Sequence, residues 1–247
     1  MNVDPQARRR HFHTQLDTLQ DRLLEMAGLA EELVREAVQA VLDRSGSMAD
    51  EIRERDRRID ALEVEIDERV VELLALQQPM ARDLRQIFTS LKVANDVERV
   101  GDHAVNIASA ARNLSHFPAV PELREVGEMA RITEGMLSDA LAAYISRNAG
   151  TARMVCETDD RVDDLRDSLF RILVSHMLEE PRRISPSLEL LRVGQNLERI
   201  ADLATNISED VVFLVEGRSI KHHQEREELE GAEAPVEPGA PAPEPEG

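Results

Sequence analysis

The chain runs to 247 residues, with 49 Asp or Glu against 30 Lys or Arg for a formal net charge of −19; 42% of it is hydrophobic and 2% aromatic. That apolar share suffices for a buried core and excludes disorder throughout, while the lack of aromatic bulk argues against a strand-rich domain and for an all-α one. A surface of this sign repels phosphate backbones and anionic lipid heads, which argues against nucleic acid as a partner.

Breakers and apolar periods at three and four residues predict helices over 6–44, 48–77, 80–115, 121–147, 150–178 and 183–216. Leu16, Leu19, Leu23, Met26, Leu33, Ala37 and Val41 line one face of the first, and Ile59, Leu62, Ile66, Val70 and Leu73 one face of the second. Ser45-Gly46-Ser47, Gln77-Gln78-Pro79, Phe117 to Pro121, Asn148-Ala149-Gly150 and Glu179-Glu180-Pro181 separate the helices, and Gly217 closes the last. Met26, Met129, Met136, Met154 and Met177 fall at helical spacing and are expected to fill core. From Glu225 to Gly247 the chain carries eight Glu against one Arg and little that is apolar, which predicts a disordered acidic tail with no role beyond solubility. The basic N-terminal residues are followed by no apolar stretch, no apolar run approaches the ~20 residues a bilayer requires, and Cys156 is the single cysteine. A cytoplasmic protein without direct membrane insertion is the expectation.

The halves repeat. Val97-Glu98-Arg99-Val100-Gly101-Asp102-His103-Ala104-Val105-Asn106-Ile107 returns one hundred residues later as Leu197-Glu198-Arg199-Ile200-Ala201-Asp202-Leu203-Ala204-Thr205-Asn206-Ile207. At an offset of 103, Asp56, Ile59, Asp60 and Leu62 return as Asp159, Val162, Asp163 and Leu165. The chain therefore reads as a tandem repeat of two three-helix bundles with consecutive helices antiparallel, over 6–117 and 118–222, followed by the tail from 223 to 247.

In an antiparallel hairpin, residues equidistant from the turn lie level. Asp60 with Glu98, and Asp56 with Asp102, are equidistant from Pro79; Asp163 with Glu198, and Asp159 with Asp202, are equidistant from the Glu180–Pro181 junction. Each half thus sets Asp-x-x-x-Asp level with Glu-x-x-x-Asp. Carboxylates four apart share a helix face and repel, and a second pair across a helix separation of about 8–10 Å adds to the repulsion. A counter-cation is required. One source is metal: Mg, Mn, Fe or Zn ions accept clustered carboxylate oxygens and more than one ion can be bridged, with Asn106 and Asn206 one turn along as further oxygen donors. The other is a surface ladder of Arg57, Arg58, Arg99, Arg161 and Arg199. His103 has Leu203 as its counterpart and reads as a surface histidine; Glu63 and Asp67 read as a solvated face, since Glu63 aligns with Arg166; Cys156 reads as a small buried side chain. No phosphate loop, nucleophile elbow or Cys-x-x-Cys pair is present, and no histidine has Glu three residues before it, which removes the di-iron helix motif.

Gln78-Pro79-Met80-Ala81-Arg82-Asp83-Leu84-Arg85, the Asp96–Ile107 stretch, and Asn196–Asp202 with the closing Val215-Glu216-Gly217 resemble the PhoU family of phosphate-signalling proteins over about residues 8–222. The resemblance implies a cytoplasmic, non-enzymatic regulator of inorganic phosphate uptake. Such a regulator couples the ATPase subunit of the phosphate ABC transporter to the sensor histidine kinase of the phosphate regulon and is expected as a homodimer. It also implies metal ions at Asp56, Asp60, Glu98 and Asp102 and at Asp159, Asp163, Glu198 and Asp202. Ala201 departs from Gly101 and sets a methyl beside the second cluster. A carboxylate-bridged, metal-dependent phosphohydrolase is the alternative, and a purely structural helical scaffold leaves the paired carboxylates without a reason.

Overall fold

Seven α-helices form within the described residues, which are 5–77, 79–118 and 123–220 of this computed structural model. They are α1 (Pro5–Leu42), α2 (Ala49–Gln77), α3 (Ala81–Leu114), α4 (Leu123–Ser146), α5 (Ala149–Cys156), α6 (Asp159–Glu179) and α7 (Ile184–Glu216). Short 3₁₀ turns at Gly46–Met48 and Pro181–Arg183 lead into α2 and α7. The predicted acidic tail lies outside the described residues.

The fifth predicted helix is interrupted and becomes α5 and α6. At the junction the Thr158 hydroxyl donates to the Met154 carbonyl at 2.8 Å, and the backbone tightens to i→i+3 bonds from Thr158 N to Val155 O and from Arg161 N to Thr158 O. Thr18, Ser90 and Ser109 make the same back-bond inside unbroken helices, so what marks the interruption is the pair of i→i+3 backbone bonds, which apolar periodicity does not register. Elsewhere the ends follow local chemistry. The Asn148 side chain accepts from Gly150 N and Thr151 N at the start of α5, and Gly217 takes the left-handed conformation (φ 71°) that closes α7.

Helices α1–α3 form one three-helix bundle, and α4, α5–α6 and α7 the other. The third helix of each bundle, α3 and α7, pack along each other in an extensive seam, so that one hydrophobic core runs through both repeats. The core holds the predicted faces: Leu19, Leu23, Met26 and Leu33 of α1 and Ile59, Leu62, Ile66 and Leu73 of α2 are almost wholly buried. Each such side chain contributes on the order of 1.5–3 kcal/mol by leaving water. Met129 and Met136 are buried and Met177 packs on the core, but Met154 is 67% exposed, because α5 buries the face of Ala152 and Val155 and Met154 lies off it.

Helices α3 and α7 run antiparallel. Lys92 pairs with Asp210, His103 Nδ1 lies 2.9 Å from Asn196 Oδ1, and Asn113 Nδ2 donates to Glu189 at 3.1 Å. This register sets Glu98 level with Asp202 and Asp102 level with Glu198. The acidic motifs of the two repeats therefore stand at one height on neighbouring helices. No helix among the described residues is long and apolar enough to cross a membrane.

Candidate functional site

The first cluster is carried by an unbroken α2 against α3. Asp56, two turns into α2, is only 8% exposed. Its carboxylate lies directly over the α3 backbone at Gly101, where a Cβ would stand 2.5 Å from Asp56 Oδ1 and 3.1 Å from Ile59 Cδ1. Glycine is what lets a carboxylate approach this closely. Oδ1 of Asp56 is buried and has no hydrogen-bond partner. Burial, then the charges of Asp60 and Asp102, push this carboxyl up to about 6. Glu98, half-buried on α3, rises to about 7, again by burial first and then through Asp102, Glu63, Asp60 and Asp56.

The arginines expected to neutralise this cluster are engaged elsewhere. Arg57 pairs with Glu54 at 2.5 Å, Arg58 with Glu25 at 2.5 Å and Glu65 at 3.5 Å, and Arg99 with Asp96 at 3.8 Å. Glu63, read from sequence as part of a solvated face, instead belongs to the cluster's field. It is half-buried, Asn95 Nδ2 reaches it at 3.4 Å, and burial together with Asp67, Asp60 and Asp102 raises its pKa. The legible signal was its place one helical turn from Asp60.

The second cluster keeps the carboxylates and changes their surroundings. Ala201 is fully buried where the first repeat has Gly101, and Asp159 is the first residue of α6, directly after the break, whereas Asp56 stands two turns inside α2. Burial still leads in raising Asp159 to about 6, followed by Asp202 and Asp163. Here, however, arginines arrive. Arg166 lies 3.0 Å from Glu198 and 3.6 Å from Asp163, and Arg199 lies 3.3 Å from Asp202 and 3.5 Å from Glu198. Both cations oppose the burial-driven rise of Glu198 and Asp202. The arginine ladder is thus found in the second half, through Arg199 and through Arg166, the residue that replaces Glu63.

His103 is half-buried and bonded across the seam to Asn196, so it ties the repeats together and is not a free surface histidine. Asn106 is exposed, and Asn206 lines a hollow of about 360 Å³ with Glu63, Asp67, Lys92, Asn95 and Asp96 of the first repeat. Cys156 is half-buried, and burial pushes its thiol up to about 11, which leaves it unreactive at neutral pH. Among the described residues no three His, Cys, Asp or Glu side chains are gathered tightly enough to hold an ion as they stand. What the first cluster presents is a concentration of carboxylates without a paired cation, around a buried oxygen without a partner.

The model of the PhoU domain matches the chain twice, over residues 23–111 and 126–211. The chain belongs to the PhoU family. It is 36% identical over 213 residues to the phosphate-specific transport system accessory protein PhoU homolog of Clostridium acetobutylicum, covering 86% of this chain and 97% of that one. The protein of the same description from Pseudomonas putida is 38% identical over 215 residues, covering 85% and 83%. Among solved structures, PhoU from Pseudomonas aeruginosa superposes with a TM-score of 0.82 at 38% identity, over 84% of this chain and all of that one. The phosphate transport system regulatory protein PhoU from Streptococcus pneumoniae gives 0.79 at 27% identity, over 85% and 99%. The duplicated bundle and the paired acidic motifs are thus set in a PhoU fold.

Proposed function

We propose that this chain is a non-catalytic regulator of inorganic phosphate uptake and phosphate-regulon signalling, coupling the ATPase subunit of a phosphate ABC transporter to the regulon's sensor histidine kinase. The observation that carries the reading is the similarity, over 85–86% of the chain, to accessory proteins of the phosphate-specific transport system, which spans both repeats. With no spanning helix among the described residues, a role at a membrane transporter runs through protein contacts. Deleting the gene in its host should switch on phosphate-regulon expression in phosphate-rich medium. Normal repression in the deletion strain would overturn the reading.

Metal ions belong to this proposal. Asp56, Asp60, Glu98 and Asp102 offer oxygen ligands of the kind Mg, Mn, Fe or Zn accept, and the orphaned Asp56 Oδ1 supports a cation there. When bound, such an ion supplies neutralising charge to an acidic face. Asp159, Asp163, Glu198 and Asp202 form the second site, in which Arg166 and Arg199 compete with the ion. We place the tighter affinity in the first repeat. Elemental analysis of purified protein and of Glu98→Ala/Asp102→Ala tests this: the double variant should lose half or more of the bound metal while remaining helical, and unchanged content would remove the assignment.

A further inference from the structure

The end of the α2/α3 hairpin differs from the acidic faces around it. Met80, Leu84 and Phe88 lead into and along the first turns of α3 and are 80%, 44% and 50% exposed. The antiparallel register sets Phe88 level with the last turn of α7, where Val215 is also exposed. Lys92 Nζ, held by Asp210 of α7, lies 5.8 Å from the Phe88 ring centroid. Arg85 rests against the C-terminus of α7, its guanidinium 3.2 Å from where a Cβ on Gly217 would stand. Arg85 is half-buried with Nε unpartnered, and Arg82, one turn earlier, is exposed. An apolar ridge is therefore flanked, on a strongly acidic molecule, by Arg82 and Arg85, which make no ion pair among the described residues although Asp83 lies between them in sequence.

The described residues end close to this place. Ile220, three residues past Gly217, still packs on the core. Residues 221–247 carry eight Glu against Lys221 and Arg226, with Leu229 and Val236 as the only large aliphatic side chains. An acidic segment is repelled by acidic faces and attracted where arginines make no ion pair. Its attachment a few residues away gives it an effective concentration in the millimolar range there. We propose that residues 221–247 dock in cis on the Met80–Phe88 ridge, with glutamates facing Arg82 and Arg85 and with Leu229 or Val236 over the apolar side chains. The hairpin end is then shielded until a protein partner displaces the segment. The inference depends neither on the regulatory role nor on the metal.

The full chain tests it. A spin label on Val236→Cys, in a Cys156→Ala background, reports proximity through nuclear relaxation. Relaxation at Met80, Leu84 and Phe88 should exceed several-fold that at Leu178, Ile184 and Leu188, the exposed apolar residues of the opposite hairpin end. The excess should vanish in ~0.5 M salt, where the screening length is about 4 Å, and in Arg82→Glu, an exposed position that folding tolerates. Equal relaxation at the two ends, or an excess indifferent to salt and to Arg82→Glu, overturns the proposal. So does an excess seen only between differently labelled molecules in a mixture, which would assign the ridge to a second copy.

Discussion

The two acidic clusters repeat one arrangement of four carboxylates and differ in what meets their charge. In the first, Asp56 is sunk against Gly101 with an orphaned oxygen, Glu63 adds to the field, and the nearby arginines pair elsewhere. In the second, Ala201 fills the corresponding space, Asp159 opens a helix, and Arg166 and Arg199 bind Glu198, Asp163 and Asp202. Two unit charges 4 Å apart interact by about 4 kcal/mol at an effective dielectric constant of 20, so one arginine exchanged for one glutamate changes what such a cluster demands. Duplication preserved the carboxylates here, while their neighbours separated a cluster without a paired cation from one that two arginines partly neutralise.

The largest effect is expected where the need is greatest. Asp56→Asn keeps the shape of the buried side chain and removes its charge, so Mn²⁺ affinity at the first cluster should fall by at least ~10-fold, as losses of supporting groups around metal ions do. Isothermal titration of the metal-free protein reads this. Asp159→Asn should change total binding far less. Equal losses from the two substitutions would break the asymmetry.

Arg166→Glu gives the second cluster the residue its counterpart carries at position 63. It removes the cation bonded to Glu198 and adds a like charge, so cation affinity in the second half should rise on the order of 10-fold, equivalent to about 1.4 kcal/mol. Titration should then resolve two comparable sites. If only the first site is seen, the arginine is not what distinguishes the clusters.

These tests concern the part of the site that was hardest to read. The level pairing of the eight carboxylates followed from turn positions alone, because helix geometry and short loops leave a hairpin little freedom. The counter-charges were not legible in this way. Arg58 reaches Glu25 and Glu65 instead of the cluster, and Arg166 bends onto Glu198, because long side chains choose among several carboxylates in three dimensions. The α5/α6 break is a local tightening of the backbone to i→i+3 bonds around Thr158, to which hydrophobic period is blind. The α3/α7 seam, with Lys92 on Asp210 and His103 on Asn196, joins residues with no repeat relation, so no internal alignment points to it.

Acidity provides a milder test. Unfolded, Asp56 and Glu98 titrate near 3.8 and 4.5, while in the fold burial and like charges place them at about 6 and about 7. Their ionisation therefore destabilises the metal-free protein fully above pH 7, and the penalty fades as pH falls through the folded values toward the unfolded ones. Between pH 8 and pH 5 the gain should be about 1–2 kcal/mol, allowing for solvent screening at Glu98, or a rise in melting temperature of roughly 2–8 °C. Glu25 and Glu216, held below the usual carboxylate range by Arg58 and Arg153, oppose this trend only below the window. Thermal melts in a chelator check the slope, which Asp56→Asn and saturating Mn²⁺ should each flatten, while Asp159, also raised to about 6, keeps a share of the same sign. A slope untouched by Asp56→Asn would place its origin elsewhere.

The smallest effect belongs to a methyl group. Gly101→Ala gains up to about 1 kcal/mol of helix propensity, and the Cβ forces Asp56 Oδ1 out of its buried position, since 2.5 Å is closer than such atoms approach. The carboxylate ends a short rotatable side chain and Ile59 Cδ1 is the far end of a flexible one, so both can yield. The metal-free protein should accordingly melt slightly higher while Mn²⁺ affinity at the first cluster falls. The reciprocal Ala201→Gly loses that propensity, about 1 kcal/mol, and should bring no new cation affinity, because Arg166, Arg199 and the break before Asp159 all remain. Paired melts and titrations separate the contributions. Stronger binding from Ala201→Gly alone would make the space over residue 201, rather than the arginines, the difference between the two halves.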